Sequence, residues 1–137
     1  MDYVLTTNNI SKQYRQFKAL DGLTMRVPKG AIYGFVGRNG AGKTTLIRLI
    51  CGLQSPTSGD YTLYSIDSRA KDIVQSRKRI GAVVETPSIY MDMTAEENLK
   101  LQYKVLGLQP NEGITELLNW WGLKIQTEKR QGTFRLV

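Results

Sequence analysis

A single cysteine, Cys51, stands in the whole chain, so neither a disulfide framework nor a cysteine metal site can form within it. Its place late in an apolar helix reads as a reduced core residue, which fits a cytosolic location. No apolar run approaches the roughly 18 residues that a membrane span needs. The segment Met1-Asp2-Tyr3 is acidic rather than signal-like, so any membrane role is expected to come through a partner. Histidine is absent altogether, and there are no internal repeats.

With 41% hydrophobic residues among 137, one modest core is expected, and neither a disordered chain nor a second full domain. The formal charge of +7 suits a nucleic acid, a membrane surface or an anionic nucleotide and does not choose among them. No basic stripe interleaved with aromatic rings occurs, so no nucleic-acid partner is expected. The one short cluster, Arg77-Lys78-Arg79, reads as a solvated helix face.

The most informative stretch is Gly37-Arg38-Asn39-Gly40-Ala41-Gly42-Lys43-Thr44-Thr45, which satisfies the phosphate-loop pattern G-x-x-x-x-G-K-[ST]. Its setting is right: residues 31–36 read as a buried strand, and Thr44 to Cys51 read as a helix closed by Gly52. Glycine at 37, 40 and 42 permits backbone angles that side chains resist, so successive N–H groups can turn inward at the positive end of a helix. Lys43 supplies a mobile cation for the outer phosphates, and the Thr44 hydroxyl is placed to ligate the accompanying Mg²⁺. Thr45 reads as helix scaffold beside them.

Along the rest of the chain, Val4 to Tyr14 and Ala19 to Val27 read as antiparallel strands. Residues 54–59 form a loop by composition, and Asp60 to Tyr64 a further strand. A helix is predicted near Ile73 to Arg79, and Ile80 to Val84 is an apolar, buried strand ending at Glu85-Thr86-Pro87. Thr94-Ala95-Glu96-Glu97 has the capping-box arrangement and opens a helix carrying Leu99, Tyr103 and Leu106, stopped at Gly107. Ile114 to Trp121 is a last helix ended by Gly122, and Lys124 to Val137 carries no convincing element. The order predicts an α/β phosphate-loop NTPase core: an antiparallel β region at 1–30, the core at 31–85 and an incomplete helical subdomain at 86–137.

With these pieces placed, the chain resembles the N-terminal half of an ABC transporter ATP-binding subunit. Leu20-Asp21-Gly22-Leu23, Gly34-Phe35-Val36-Gly37, Ile50-Cys51-Gly52-Leu53 and Pro56-Thr57-Ser58-Gly59 carry the resemblance at the family's spacings. It implies ATP and Mg²⁺ as ligands, with Gly37 to Thr45 around the phosphates. It also places Tyr14 where the family stacks an aromatic ring on adenine, although a lone tyrosine at a strand end also reads as packing. Where the family has glutamine after the strand, this chain has Glu85. That departure resembles the bacitracin-exporter and lantibiotic-immunity branch, and a carboxylate is a good hard-cation ligand; the bland alternative is an exposed strand-end acid. The stretch after Glu85 is where the family meets its permease. Tyr90, Met91, Trp120 and Trp121 are candidate contacts, with core packing the better reading of the tryptophans.

The family's signature motif, its apolar strand ending in Asp-Glu and its later histidine are missing from this chain, so no complete catalytic site can be built and no catalytic residue is assigned. The resemblance implies a cytoplasmic subunit of a peptide-antibiotic exporter, held at the inner membrane face by a permease and paired with a second ATP-binding subunit. The competing reading is a truncated or frameshifted product that binds nucleotide without hydrolysis. Gly132 to Val137 can be encoded so that a shifted frame reads Asn-Phe-Ser-Leu-Gly, close to the signature motif due there, and a frameshift scar is expected. A GTPase or small-molecule kinase would share the loop, but no Asn-Lys-x-Asp guanine reader occurs.

Overall fold

The computed structural model describes residues 2–85, 89–109 and 113–122. The chain divides into two compact units, Met1–Thr86 and Pro87–Val137. The expectations for Thr86-Pro87, for Lys124 to Val137 and for the frameshift scar lie outside the described residues.

In the first unit, β1 (Tyr3–Tyr14) pairs antiparallel with β2 (Phe17–Pro28) through a tight turn at Arg15-Gln16, with Tyr14 opposite Phe17 and Leu5 opposite Val27. On its other side β1 pairs antiparallel with β3 (Ser58–Leu63), and β3 turns into the short β4 (Ile66–Asp67), giving the order β2-β1-β3-β4. The buried positions of β1 are Leu5, Thr7 and Ile10. The three-residue step from Thr7 to Ile10 breaks the period-two alternation, and the ladder is irregular there, with Asn9 at φ 45°. An extra residue in one strand returns Ile10 to the core face. The irregularity also explains a glycine: a Cβ on Gly59, at φ +75°, would sit 2.3 Å from the Asn9 carbonyl oxygen. Thr7 is buried without cost because its hydroxyl donates to the Leu23 carbonyl and accepts from the Met25 N–H, both at 3.0 Å.

The helix α1 (Lys43–Ile50) follows the phosphate loop and packs Leu46 and Leu49 into a core with Leu5, Ile10, Leu20, Tyr61, Leu63 and Ile73. Gly52, at φ +76°, ends it as predicted. The next helix, α2 (Ile73–Arg77), is shorter than expected. Its basic cluster is not a simple solvated face. Arg77 is half-buried against Tyr61, and Arg79 lies 3.8 Å from the centre of the Tyr64 ring. Cys51 is half-buried at the end of α1 rather than fully inside the core.

Two expectations are corrected. Residues 31–36 and 80–84 form no strand, and Ile32, Val36 and Val83 are exposed. Both runs are β-prone by composition, but a strand is defined by its ladder, and no described strand pairs with either. The described sheet is therefore wholly antiparallel.

The second unit contains α3 (Ala95–Leu106) and α4 (Ile114–Trp120). The capping box forms in full: the Thr94 hydroxyl accepts from the Glu97 N–H at 3.2 Å, and the Glu97 carboxylate accepts from the Thr94 N–H at 2.7 Å. Gly107 at φ 72° closes α3. Ile114 and Leu118 are buried, whereas Trp120 and Trp121 are exposed and touch edge to face at 5.8 Å. Core packing is thus the wrong reading of the tryptophans: α4 buries its i, i+4 pair and turns 120 and 121 away. Among the described residues, no helix is long and apolar enough to cross a membrane.

Candidate phosphate-binding site

The loop before α1 offers backbone donors with nothing to donate to. Among the described residues, its one internal backbone–backbone hydrogen bond runs from the Ala41 N–H to the Arg38 carbonyl at 3.1 Å, and the first helical bond is Leu46 N–H to Gly42 carbonyl at 2.9 Å. Among the described residues, the N–H groups of Gly40, Gly42, Lys43, Thr44 and Thr45 therefore have no backbone acceptor. No side chain caps α1, and no acidic residue lies in its first turn. Helix starts normally satisfy such donors with a capping oxygen; here they point to an anionic ligand, reinforced by the helix dipole.

The glycines make this geometry possible. Gly40 and Gly42 lie at φ 82° and 84°, in the left-handed region that side chains resist. Gly42 is also pressed against β2: a Cβ there would lie 2.1 Å from the Ala19 carbonyl oxygen and 2.8 Å from Leu20 Cδ2. The loop is thus seated on the sheet by a contact only glycine allows.

Lys43 folds its ammonium back over the loop, donating to the Gly37 carbonyl at 2.5 Å and the Arg38 carbonyl at 2.7 Å. This brings Gly37, Arg38 and Lys43 together as the motif requires. Asn39 and Ala41 are exposed beside them. Thr44 and Thr45 occupy the first turn of α1, half-buried, and the Thr44 side chain has no hydrogen-bond partner among the described residues. Five N–H donors, a mobile ammonium and a free hydroxyl suit a polyphosphate with its Mg²⁺.

The other two expected residues make no hydrogen bond to the loop among the described residues. Tyr14 ends β1; its hydroxyl donates to the Gln54 side-chain oxygen, and Lys12 Nζ lies 5.3 Å from its ring centre while donating to the Ser55 carbonyl at 2.7 Å. The ring is 39% exposed, so one face is covered by a cation and part of the ring remains open. Glu85 is held by Arg48 of α1, with Arg48 Nη2 3.1 Å from Glu85 Oε1.

Sequence reasoning missed Arg48, although its spacing from Thr44, one helical turn, was a readable signal. It also missed the clasp at the far end of α1. There Tyr61 donates to the Leu49 carbonyl at 3.1 Å, and the Arg77 guanidinium lies so close to Gly52 that a Cβ would meet Cζ at 2.6 Å. Burial pushes the Cys51 thiol above its ordinary pKa, and the nearby Arg77 charge opposes that rise.

Comparison with known proteins gives the chain a family. The family profile described as ABC transporter matches residues 20–135. The bacitracin transport ATP-binding protein BcrA of Bacillus licheniformis is 40% identical over 136 residues, covering 99% of this chain and 44% of the relative. The lantibiotic transport ATP-binding protein SrtF of Streptococcus pyogenes is 33% identical over 120 residues, covering 88% of this chain and 50% of the relative. A solved ATP-binding subunit of an ABC transporter superimposes with a TM-score of 0.73 at 29% identity, over 88% of this chain and 51% of that one. A nucleotide-free ATP-binding cassette gives a TM-score of 0.68 at 27% identity, over 89% and 55%. The chain thus spans about half the length of the relatives it matches. With a phosphate loop built as the motif demands and a family match over most of its length, the chain belongs to the ABC transporter ATP-binding family, with homologues in bacitracin and lantibiotic transport.

Proposed function

We propose that this chain is the nucleotide-binding portion of an ABC exporter subunit acting on a peptide antibiotic, as the names of its bacitracin and lantibiotic relatives indicate for them. The observation that carries the reading is the row of acceptor-free N–H groups from Gly40 to Thr45 with Lys43 beside it. ATP phosphates take the place of the missing acceptors, with Gly37, Arg38, Asn39, Gly40, Ala41, Gly42, Lys43, Thr44 and Thr45 around them. Thr44 and Glu85 hold Mg²⁺, which supplies charge neutralisation at the outer phosphates. Tyr14 stacks on adenine through the face that Lys12 leaves free.

In the assembled transporter the subunit sits on the cytoplasmic side, bound to a permease and to a second ATP-binding subunit. The exposed Tyr90, Met91, Trp120 and Trp121 belong to the region proposed to meet the permease, where amphipathic rings make good contacts. The three-part division at 30 and 85 remains our proposal for how these roles distribute.

The test is thermal unfolding with and without Mg-ATP. At 100 times Kd a ligand adds about 2.7 kcal/mol of stability, so wild type should shift upward and Lys43→Ala should lose most of that shift. Equal shifts in both proteins overturn the reading. A second reading, that this stretch of sequence by itself binds nucleotide without hydrolysing it, rests on the loop's own groups, which are backbone donors, an ammonium and a hydroxyl with no general base among them. It predicts no ATPase rate above buffer for this chain alone; turnover that disappears in Lys43→Ala would refute it.

A further inference from the structure

Glu85 is tied to the phosphate-loop helix by one side-chain contact. Arg48 Nη2 lies 3.1 Å from Glu85 Oε1, and neither Glu85 oxygen has another partner among the described residues. The pair is monodentate, so Oε2 stays available to a second cation. Arg48 stands four residues after Thr44 on α1, which puts both on one face, a turn of about 5.4 Å apart. Helical side chains lean toward the N-terminus and cover the preceding turn. The arginine stem thus runs toward the level of Thr44, whose side chain has no hydrogen-bond partner. Glu85 also has φ 64°, sparsely populated for a residue with a side chain, so its placement depends on what grips it.

We propose that Arg48 is the positioning residue for Glu85: it holds the carboxylate beside the Thr44 hydroxyl, with Oε2 presented to the nucleotide's Mg²⁺. The inference rests on the reading of Glu85 as a metal ligand. A carboxylate delivered in place loses less freedom when the ion arrives than one swinging free, which is why supports behind metal ligands raise affinity. The repulsion between the guanidinium and Mg²⁺ works against this. Because the pair is partly exposed, solvent screens that repulsion, while the hydrogen bond keeps its directional hold.

The experiment measures affinity for a fluorescent ATP analogue in EDTA and in Mg²⁺, taking the ratio as the metal-dependent part. Arg48→Gln, which keeps the stem and removes the charge, should reduce that ratio about threefold, the size of an exposed ion pair, and leave binding in EDTA unchanged. Arg48→Lys should recover part of it. Glu85→Gln should reduce the ratio too, and Arg48→Gln added to it should change nothing more. If Glu85→Gln lowers the ratio while Arg48→Gln leaves it unchanged or raises it, the positioning role is overturned and Glu85 stands as a ligand without it. If Glu85→Gln has no effect, the metal-ligand reading fails and the proposal falls with it. Manganese(II) in place of Mg²⁺, followed by electron paramagnetic resonance on the ATP complex, reads the same ranking without fluorescence.

Discussion

Arg77 donates through Nη2 to the Tyr61 hydroxyl at 2.6 Å, and that hydroxyl in turn reaches the Leu49 carbonyl at 3.1 Å and the Ile50 carbonyl at 3.4 Å. Three elements, β3, α2 and the C-terminal end of α1, meet in this relay. The opposite end of α1 carries the phosphate loop, so the clasp fixes the helix that aims the donors. A cation at a helix C-terminus is also favoured by the dipole.

Tyr61→Phe keeps the buried ring and deletes the hydroxyl, leaving a half-buried guanidinium donor and the Ile50 carbonyl short of a partner, while the Leu49 carbonyl keeps the Gly52 N–H at 3.1 Å. Stranded buried groups cost more than the bond itself was worth, about 1–3 kcal/mol. Urea denaturation should show a loss in that range with an unchanged slope. A midpoint indistinguishable from wild type would mean that the relay contributes nothing.

The loop glycines should differ sharply from one another. Gly40→Ala places a Cβ in open space and meets only the left-handed backbone, a strain of about 1–2 kcal/mol. Gly42→Ala carries the same strain and also drives its Cβ to 2.1 Å from the Ala19 carbonyl, so α1 must lift from β2. Thermal unfolding should therefore rank wild type above Gly40→Ala, and Gly40→Ala well above Gly42→Ala. Equal losses would show that the seat on β2 yields freely.

Cys51 gives a pH signature. Burial raises its thiol pKa in the folded state, so the folded protein holds that proton more tightly than the unfolded chain. The stabilisation is fully present below the unfolded thiol's pKa, near 8.5, and is lost as pH climbs through the higher folded value. Alkylation by iodoacetamide at pH 8 should be slower than for an unstructured cysteine peptide, and Arg77→Gln, which removes the opposing charge, should slow it further. Faster alkylation of the folded protein would contradict the assignment.

What the sequence made legible was local. The Thr94–Glu97 capping box, the stops at Gly52 and Gly107, and the left-handed glycines 40 and 42 beside Lys43 all depend on residues within a few positions of one another and appear where the pattern placed them, whereas Gly37 does not take a positive φ. What it hid was set by partners distant in the chain. Gly59 is glycine because Asn9 bulges against it, and Arg77 leaves the surface because Tyr61 stands 16 residues away. The same reason explains the two missing strands. An apolar run announces the wish to be buried, but pairing depends on a neighbour that composition cannot name.

Those two runs carry the final prediction. Ile32 and Val36 are almost wholly exposed, at 105% and 94%, and Val83 is 69% exposed, in segments rich in β-branched and aromatic residues. Backbone groups without a ladder, beside apolar side chains in water, form a template for pairing with another chain. The isolated chain should therefore self-associate as concentration rises. Ile32→Lys combined with Val36→Thr places a charge and a polar group in one run, with no buried contact to lose. Sedimentation velocity across a tenfold concentration range should show the wild type growing in mass and the double variant staying closer to a monomer, while thermal unfolding of the β1–β2–β3 sheet remains within about 0.5 kcal/mol of wild type, as expected for surface changes. A wild type that stays monomeric throughout would show that these segments are shielded in solution. Equal association in both proteins would place the contact elsewhere, with the exposed Trp120–Trp121 pair the next surface to substitute.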